Sequence, residues 1–577
     1  MSKNVTLTID NQSVTVQAGV TIWGAARKLG INIPTLCHHF DVKPYSGCRV
    51  CVVEVQGARA LAAACSFPVT DGLVVYTNSP KVRDARRLVV ELLLANHPND
   101  CFTCARNQNC ELQAIAENLG IKKIRFPQSK PTWELDESNP SLVRDPNKCI
   151  LCGRCVRFCS EKQTCSIYTF ANRGFNSTVT PAFGKGLGDP GVKCALCGQC
   201  SVICPTGAIT VKDDTEKVLA AINDPDKIVV VQTAPATRVG LGDLFNEPTG
   251  AIVTGKMVTA LKMLGFDRVL DTNFTADLTI MEEATEFLRR LTNNIHMPMI
   301  TSCSPGWINF MEMHYPDLIQ HHSTCKSPQQ MFGALVKTFY AKKEGIDPSK
   351  IVSVSIMPCT AKKYECLRPE MRSSGYQDVD YVLTTRELGS LIKSFGLNFA
   401  QLPETPYDPV MSCGSGAGTI FGATGGVMEA ALRTAYEVVT KKTLPAIEFE
   451  VIRGLGGLRE AEIDLDGTKI KVAIAHGLGN ARKVMEEIKA GNPRNWNFIE
   501  VMACPGGCIS GGGQPISHDI NYRSKRIQGL YTDDRNLPLR KSHENPEVLA
   551  LLKEFLIEWG GHKSHELLHT ALKGHEH

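Results

Sequence analysis

The chain has 577 residues, 43% of them apolar and 21% charged, with a net charge of +4. These values predict a globular protein too long for one hydrophobic core. Charges are spread along the chain, so no basic stripe indicates nucleic acid. Because no apolar run reaches the length of a bilayer span, and the N-terminus lacks the apolar core of a signal peptide, we expect a cytoplasmic protein without membrane contact.

Cysteine is the outlier of the composition, with 23 copies. Thiols stay reduced in a cytoplasmic chain, so clustered cysteines indicate metal ligation rather than disulfides. The first cluster follows an alternating stretch around Asp10 and Asn11 that predicts a β-hairpin. Its spacing suits a [2Fe-2S] site, although its first gap is longer than in plant-type ferredoxins. The expected ligands are Cys37, Cys48, Cys51 and Cys65.

A second cluster, in HPNDCFTCARNQNC, combines one histidine with three cysteines. Such a ligand set occurs in structural zinc sites. Spacing alone leaves zinc and an iron–sulfur cluster equally open. The candidate ligands are His97, Cys101, Cys104 and Cys110.

Two CxxCxxCxxxC runs follow, and the second run ends in Cys204-Pro205. This is the bacterial ferredoxin spacing, in which the fourth cysteine of each run reaches the other [4Fe-4S] cluster. Zinc knuckles are the alternative, but zinc favours two separated pairs. The crossed pairing predicts Cys149, Cys152, Cys155 and Cys204 around one cluster, and Cys194, Cys197, Cys200 and Cys159 around the other.

The rest of the chain alternates short apolar runs with helical stretches, which predicts parallel sheets covered by helices on both faces. The predicted strands are residues 227–231, 268–270, 298–300, 351–356, 471–475 and 498–501. Ligands collect at the carboxyl ends of such strands. Three of these strands lead to Cys303, Cys359 and Cys504, and Cys508 lies just beyond, so a fifth metal site is expected. The segment HGLGNAR lacks the third glycine of a dinucleotide fingerprint, and we discount nicotinamide binding.

The segments TSCSPGW, MPCTAKKYE and EVMACPGGCISGGG resemble the three signature motifs of the [FeFe]-hydrogenases. The resemblance covers essentially the whole chain and points to the clostridial multi-cluster type. It implies an H-cluster, a [4Fe-4S] cube bridged by Cys508 to a two-iron unit with CO, cyanide and an azadithiolate. Cys359 and Cys504 would be further cube ligands. It also implies a [4Fe-4S] cluster rather than zinc at His97.

The implied layout has four domains, in the order of the cluster motifs. They are a β-grasp [2Fe-2S] ferredoxin-like domain (1–80), a one-histidine/three-cysteine [4Fe-4S] module (81–138), a 2[4Fe-4S] ferredoxin-like domain (139–212) and a large α/β H-cluster domain (213–577). The implied cofactors are one [2Fe-2S] cluster, three accessory [4Fe-4S] clusters and the H-cluster.

One motif departs from the family, whose members usually have Thr-Ser-Cys-Cys-Pro. There, the cysteine next to the proline binds the cube and the one before it passes protons. Here Cys303 stands at the relay position and Ser304 at the ligand position. Either the register is kept, with Ser304 at the iron, or the loop rewinds and Cys303 becomes the ligand. Thiolate is the softer ligand and favours rewinding, whereas the flanking residues favour the kept register.

Glu283 and Glu286 share a helix face, which alone is more typical of a solvated edge than of a proton relay. The resemblance implies a route from Glu286 through Ser323 and Glu283 to Cys303, with Arg290 beside the entrance. Lys362 matches a lysine that hydrogen-bonds a cyanide. The implied pocket lining is Ala234, Pro235, Pro328, Gln329, Met357 and Met502.

The expected reaction is 2H⁺ + 2e⁻ ⇌ H2, with electrons exchanged with ferredoxin or flavodoxin. We expect a monomer whose H-cluster is installed by maturation proteins. Alternatives are the catalytic subunit of an NADH-linked, electron-bifurcating hydrogenase and a H2-sensing or assembly relative with low turnover. A subunit resembling that of respiratory complex I would share the N-terminal clusters, but it would lack the second and third motifs.

Overall fold

The structure is a computed structural model that describes residues 3–465 and 467–572. The described chain divides into two compact units. Unit 1 contains the described residues up to Lys162, with Ser166–Val192 and Ile203–Thr210. Unit 2 contains Gln163–Cys165, Lys193–Val202 and the described residues from Val211 onward. Within the described residues, no helix is both long and apolar enough to cross a membrane.

The strands are short. In chain order they are β1 (Asn4–Ile9), β2 (Gln12–Gln17), β3 (Val52–Val55), β4 (Ala62–Ala63), β5 (Val74–Tyr76), β6 (Leu142–Arg144), β7 (Thr169–Ala171), β8 (Thr178–Thr180), β9 (Ile209–Val211), β10 (Ile228–Thr233), β11 (Arg268–Asp271), β12 (Met299–Ile300), β13 (Ile351–Met357), β14 (Tyr381–Thr384), β15 (Leu458–Leu465), β16 (Thr468–His476) and β17 (Phe498–Met502).

The α-helices are most frequent in unit 2. In chain order they are α1 (Ile22–Lys28), α2 (Pro80–Ala95), α3 (Glu111–Asn118), α4 (Arg154–Glu161), α5 (Gln199–Ile203), α6 (Thr215–Ile222), α7 (Thr254–Met263), α8 (Asn273–Asn293), α9 (Pro305–His314), α10 (Pro328–Leu335), α11 (Ala341–Glu344), α12 (Ala361–Glu365), α13 (Thr385–Ser394), α14 (Gly416–Ile420), α15 (Gly426–Thr440), α16 (Leu478–Lys489), α17 (Tyr522–Asn536), α18 (Pro546–Leu551) and α19 (His562–Leu568).

Unit 1 begins with the predicted hairpin, β1 paired antiparallel with β2. Asp10 and Asn11 both have positive φ, as a two-residue hairpin turn of the favoured type requires. The hairpin joins a five-stranded sheet of order β2-β1-β5-β3-β4. Val5, Leu7 and Ile9 alternate into its core. The result is a small sheet domain, as the ferredoxin-like prediction requires.

The first sheet of unit 2 has the order β11-β10-β13-β14, and all its pairs are parallel. Both faces are buried: Val229 and Val231 pack into one hydrophobic cluster, whereas Val230 packs into another with Phe274 and Phe332. The predicted parallel sheet with helices on both faces is confirmed. Strand β14 was not predicted.

The second sheet of unit 2 has the order β12-β17-β16-β15. Its pairs are parallel except at β15, which returns antiparallel along β16. Ile474 packs on one face, whereas Ile499 packs on the other beside Trp307. Strands β12 and β17 are neighbours, so the loops that follow them start from one sheet edge. The loop after β13 comes from the other sheet.

Candidate active site and cluster-binding sites

The predicted cysteines follow three strand ends in unit 2. Cys303 comes after β12, Cys359 after β13 and Cys504 after β17. Cys508 begins a short 3-10 turn that follows Gly507. Thiols from two different sheets are therefore delivered to one region.

Three of these thiols line one cavity. Its wall also contains Lys362 and most of the predicted lining. The lining residues are Ala234, Pro235, Ala236, Thr272, Ala276, Cys303, Pro328, Gln329, Met357, Pro358, Cys359, Lys362, Phe421, Gly422 and Cys508. Met502 lies outside this wall, in a buried hydrophobic cluster against which Cys303 and Cys508 pack. The sequence analysis did not predict Thr272, Ala276 and Phe421 in the wall. No sequence motif marks these residues, because only the tertiary fold brings them to the cavity.

The thiols of this region are deeply buried, which disfavours the thiolate form. Burial and the neighbouring Cys359 raise the pKa of Cys508 to about 12. Burial, with Cys359 and Cys197 nearby, raises the pKa of Cys504 well above its usual value. Such thiolates become stable when a cation takes the place of the proton. The donor set therefore fits a metal cluster.

Lys362 is fixed by an ion pair that sequence reasoning missed. Its Nζ lies 2.8 Å from Glu365 Oε2, and the lysine is only 8% exposed. Glu365 also accepts hydrogen bonds from Ser327 Oγ at 3.0 Å and Gln329 Nε2 at 3.2 Å. The ion pair could have been predicted from the sequence, because residues three apart on a helix, such as Lys362 and Glu365 on α12, are neighbours. The pair holds a positive charge at the cavity wall.

The TSCSP loop turns its two candidate residues to different places. Cys303 lines the cavity. Ser304 precedes α9, and its Oγ accepts a hydrogen bond of 3.3 Å from the backbone N–H of Ala503, the neighbour of Cys504. Burial raises the pKa of the Cys303 thiol well above its usual value, and the neighbouring Cys508 and Glu283 act in the same direction.

Two carboxyl groups of α8 have oppositely shifted pKa values. Burial, reinforced by the charge of Glu286, raises the pKa of Glu283 to about 8. Burial also acts to raise the pKa of Glu286, but Arg290, Ser323 and Thr324 outweigh it and lower the pKa overall. At neutral pH the inner carboxyl is therefore protonated and the outer one ionised. Such separation is typical of acid–base pairs.

The outer carboxylate is held by several donors. Ser323 Oγ donates to Glu286 Oε2 at 2.8 Å, and an Arg290 guanidinium N–H donates to Oε1 at 2.6 Å. The Thr324 N–H donates to the same carboxylate at 3.0 and 3.1 Å. Glu283 is 1% exposed, and Ser323 and the Ser302 backbone act to lower its pKa. The predicted relay residues are thus close together: Ser323 bonds to Glu286 and lowers the pKa of Glu283, whose two oxygens have no hydrogen-bond partner among the described residues.

Unit 1 gathers the ligands predicted for one ferredoxin-type cluster. Cys149, Cys152 and Cys155 line a single cavity with Cys204. This grouping agrees with the crossed pairing for that cluster. The second set combines Cys159 of unit 1 with cysteines of unit 2 and stays a prediction.

The cysteines of the predicted [2Fe-2S] site also lie together. The Cys37 thiol interacts with Cys48 and Cys65, and Cys65 also interacts with Cys51. His97, in the next cluster motif, is largely buried, and burial lowers its pKa to about 4. Its imidazole is therefore neutral at physiological pH, the form that binds metal. The structure places Cys101, Cys104 and Cys110 in the segment that follows, around one 3-10 turn and the start of α3.

The first three cysteines of the second ferredoxin run, Cys194, Cys197 and Cys200, belong to unit 2, beside the catalytic loops. Gln163 Nε2 donates to Cys197 Sγ at 3.3 Å and to Ala503 O at 3.0 Å. Thr360 Oγ1 donates to Leu196 O at 2.7 Å. This run is therefore bonded to the loops that carry Cys359 and Cys504. The structure places Cys194 and Cys200 in the same run.

Comparison with family models identifies four segments. Their descriptions are 2Fe-2S iron-sulfur cluster binding domain (2–80), NADH-ubiquinone oxidoreductase-G iron-sulfur binding region (86–125), iron only hydrogenase large subunit, C-terminal domain (227–512), and iron hydrogenase small subunit (520–573). The second of these covers His97, so an iron–sulfur role is favoured over zinc there.

Two hydrogenases match this chain over almost its whole length. The chain is 48% identical to the NADP-reducing hydrogenase subunit HndD of Solidesulfovibrio fructosivorans, covering 98% of each chain. It is 40% identical to iron hydrogenase 1 of Clostridium pasteurianum, covering 98% of this chain and all of the relative. A solved structure of [FeFe]-hydrogenase HydA1 from Chlamydomonas reinhardtii matches with a TM-score of 0.56 and 43% identity, covering 62% of this chain and 98% of that chain.

The fold and site define an iron–sulfur redox enzyme with a thiol-lined cavity next to a pair of carboxyl groups. With these relatives, the chain belongs to the [FeFe]-hydrogenase family. The resemblance inferred from the three motifs is confirmed. It is a hydrogenase, an oxidoreductase that interconverts protons and H2.

Proposed function

We propose that the chain catalyses 2H⁺ + 2e⁻ ⇌ H2 at an H-cluster held in the cavity of unit 2, in exchange with ferredoxin or flavodoxin. One observation carries this proposal. Cys303, Cys359, Cys508 and Lys362 line one cavity, and Glu283 carries a buried proton beside it.

The residues of the cavity fit such a group. Cys359, Cys504 and Cys508 would hold the cube, with Cys508 as the bridge, because soft thiolates are the preferred ligands of iron–sulfur clusters. Gln329 Oε1 is a buried acceptor with no hydrogen-bond partner among the described residues. Gly507 has a φ of +100°, and a Cβ there would lie 2.7 Å from the Thr424 nitrogen. The loop thus needs glycine directly before the proposed bridge.

When bound, the H-cluster supplies the two-electron chemistry of protons and H2. The side chains of the protein transfer protons from solvent to the cavity. Glu286, ionised and partly exposed, takes a proton from solvent, and the Ser323 hydroxyl connects it to the protonated carboxyl of Glu283. The Cys303 thiol is the last group of this route. Lys362 offers an ammonium N–H at the cavity wall, where it stabilises negative charge away from water.

We assign Cys303 to the proton route and Ser304 to the cube. The support is that Cys303 faces the cavity, whereas the Ser304 hydroxyl lies against Ala503, next to Cys504. A serine oxygen is a harder ligand than a thiolate and matches iron less well. The cube would therefore keep three thiolates, with Ser304 at the fourth iron.

The clusters held by the accessory cysteines would carry electrons. We propose one [2Fe-2S] cluster and three [4Fe-4S] clusters in the four-domain layout given above, in a monomeric cytoplasmic protein. The cluster with Cys197 would stand next to the cube, since this residue raises the pKa of Cys504 through its charge. An infrared spectrum tests the proposal. Protein produced with the maturation proteins should show bound CO and cyanide bands, and protein produced without them should not.

A second candidate function rests on the 48% identity to HndD, whose name describes an NADP-reducing hydrogenase subunit. The chain would then deliver electrons to a partner that reduces a nicotinamide. Purification from the native cell decides between the two. The ferredoxin-linked function predicts H2 production from reduced ferredoxin by the isolated chain, whereas the subunit function predicts a co-purifying flavoprotein and nicotinamide-dependent activity.

A sensing or assembly role is the remaining alternative. The cytosolic iron-sulfur assembly component 3 of Bos taurus is 31% identical and covers 66% of this chain. The cavity and the complete set of relay residues in this chain favour turnover instead. Measurable H2 production by matured protein separates these roles.

A further inference from the structure

A second group of metal-binding side chains lies on the outer side of Glu286. One ligand atom from each of Glu286, Cys325 and His569 lies within 4.8 Å of the other two. Cys325 Sγ is 3.8 Å from Glu286 Oε2 and 3.9 Å from His569 Nδ1. A tetrahedral zinc site with ordinary bond lengths has sulfur–nitrogen edges of about 3.5 Å. The distances from Cys325 to the other two atoms are therefore close to the edges of such a site before any ion enters.

The orientation of His569 is a second, independent observation. Its Nε2 lies 3.2 Å from Glu282 Oε2, so the carboxylate selects the tautomer that protonates Nε2. The lone pair of Nδ1 then points to Cys325 and to the Thr324 hydroxyl, which is 2.8 Å away. A carboxylate behind a histidine is the usual support of a metal ligand.

Glu282 is itself held in place. It is fully buried and accepts hydrogen bonds from Ser564 Oγ and, at 2.8 Å, from the Gly560 N–H. A bridge between Cys325 and His569 joins the segment after α19 to the segment before α10. The site is thus built from α8, the loop after Ser323 and the C-terminal segment.

We propose that Glu286, Cys325 and His569 form a binding site for Zn²⁺. A thiolate, an imidazole and a carboxylate suit this ion, and water would complete the tetrahedron. Binding replaces the thiol proton of Cys325, which leaves to solvent as Zn–S forms, with no change of oxidation state. The ion enters past Glu286, whose side chain is 13% exposed.

Zinc at Glu286 Oε2 would replace the hydrogen bond from Ser323. If Glu286 is the proton entrance, as the proposed function holds, the ion interrupts the relay at its first step. Zinc then acts as a reversible inhibitor of H2 turnover that leaves the clusters intact.

The binding test uses matured protein incubated with Co²⁺ as a spectroscopic substitute, then with Zn²⁺. We expect a thiolate-to-cobalt absorption in difference spectra, displaced by zinc, with iron content unchanged. Cys325→Ser should abolish the band, and Glu282→Gln should weaken zinc binding by about 10- to 100-fold. The control is His543→Gln, because Glu437, His543 and Glu544 form another cluster of ligand atoms, without a thiol. An unchanged band in Cys325→Ser would overturn the site.

The turnover test separates the site from the relay. Zinc should inhibit wild type and His543→Gln, a chelator should restore them, and Cys325→Ser and His569→Gln should resist inhibition at least tenfold. Binding without inhibition would leave the zinc site standing and remove Glu286 from the proton route. Failure of the protein to bind zinc overturns the inference whatever the route.

Discussion

Ser323 donates a hydrogen bond of 2.8 Å to Glu286, and the same serine interacts with Glu283. A hydroxyl can accept a proton from one side and donate on the other. Ser323 therefore bonds to a partly exposed, ionised carboxylate and lies near a buried, protonated one. The proton route proposed here depends on that connection.

Glu286→Gln keeps the shape of the side chain and removes its titrating proton. We expect H2 turnover to fall by about 100- to 10,000-fold, the usual effect of losing a positioned acid–base group. Iron content and the CO and cyanide bands should persist. Asp317→Asn, at an exposed carboxylate, is the control and should retain wild-type turnover. Equal turnover in both variants would mean that protons enter elsewhere.

The inner carboxyl should titrate near pH 8. Burial raises the pKa of Glu283, so it holds its proton below about pH 8 and loses it above. A carboxylic C=O stretch should be visible at pH 7, disappear as the pH rises through about 8, and be absent in Glu283→Gln. Because the folded state binds this proton more tightly than the unfolded state, stability should decrease between pH 4.5 and about 8. A band that disappears near pH 4.5 would contradict the assignment.

Substitutions of the two adjacent lysines of MPCTAKKYE should have different effects. Lys362→Met removes the charge at the cavity wall, and we expect protein with a normal cube but without a retained two-iron unit. Lys363 lies 2.9 Å from Glu387 and 2.7 Å from Asp214, away from the cavity lining. Lys363→Met leaves the buried Glu387 without its ammonium partner, whereas Asp214 keeps Lys217, and should destabilise the fold by about 3–5 kcal/mol. Thermal unfolding with infrared spectra distinguishes the two effects.

Cluster content gives a further prediction. One [2Fe-2S], three accessory [4Fe-4S] and a six-iron H-cluster amount to about 20 irons per chain. Without maturation proteins, about two irons should be missing and the accessory clusters should keep their paramagnetic signals. A matured preparation with about six irons would contradict the accessory clusters.

The sequence predicted the secondary structure well where its pattern was local. The hairpin at Asp10–Asn11 and the apolar strand at Ile351–Met357 form as expected, because turn chemistry and continuous apolar runs are short-range signals. Strand β15 was missed because charged residues alternate with the apolar ones along it, and nothing in the sequence analysis identified β14.

For the active site, the sequence pattern identified the cysteines as metal ligands, and the family resemblance identified the roles of the other residues. It did not identify Glu365, which fixes Lys362, or Phe421 and Ala276 on the cavity wall. These residues reach the site from distant segments, and apolar wall residues look like any core position. Met502, which the family resemblance assigned to the lining, belongs to the buried hydrophobic cluster against which Cys303 and Cys508 pack, not to the cavity wall.

The two positions of the TSCSP loop carry the central claim. Cys303 faces the cavity, and Ser304 lies against Ala503. Ser304→Cys should restore the usual family pair and give an active enzyme with a full set of cube thiolates. An inactive Ser304→Cys variant would contradict this assignment.

The most direct measurement is the infrared spectrum and turnover of Cys303→Ala. If Cys303 is the last group of the proton route, the CO and cyanide bands and the iron of the cube remain, while turnover falls by about 100- to 10,000-fold. Loss of these bands together with cube iron would show that Cys303 is a cluster ligand, and the assignment of the two residues would be wrong.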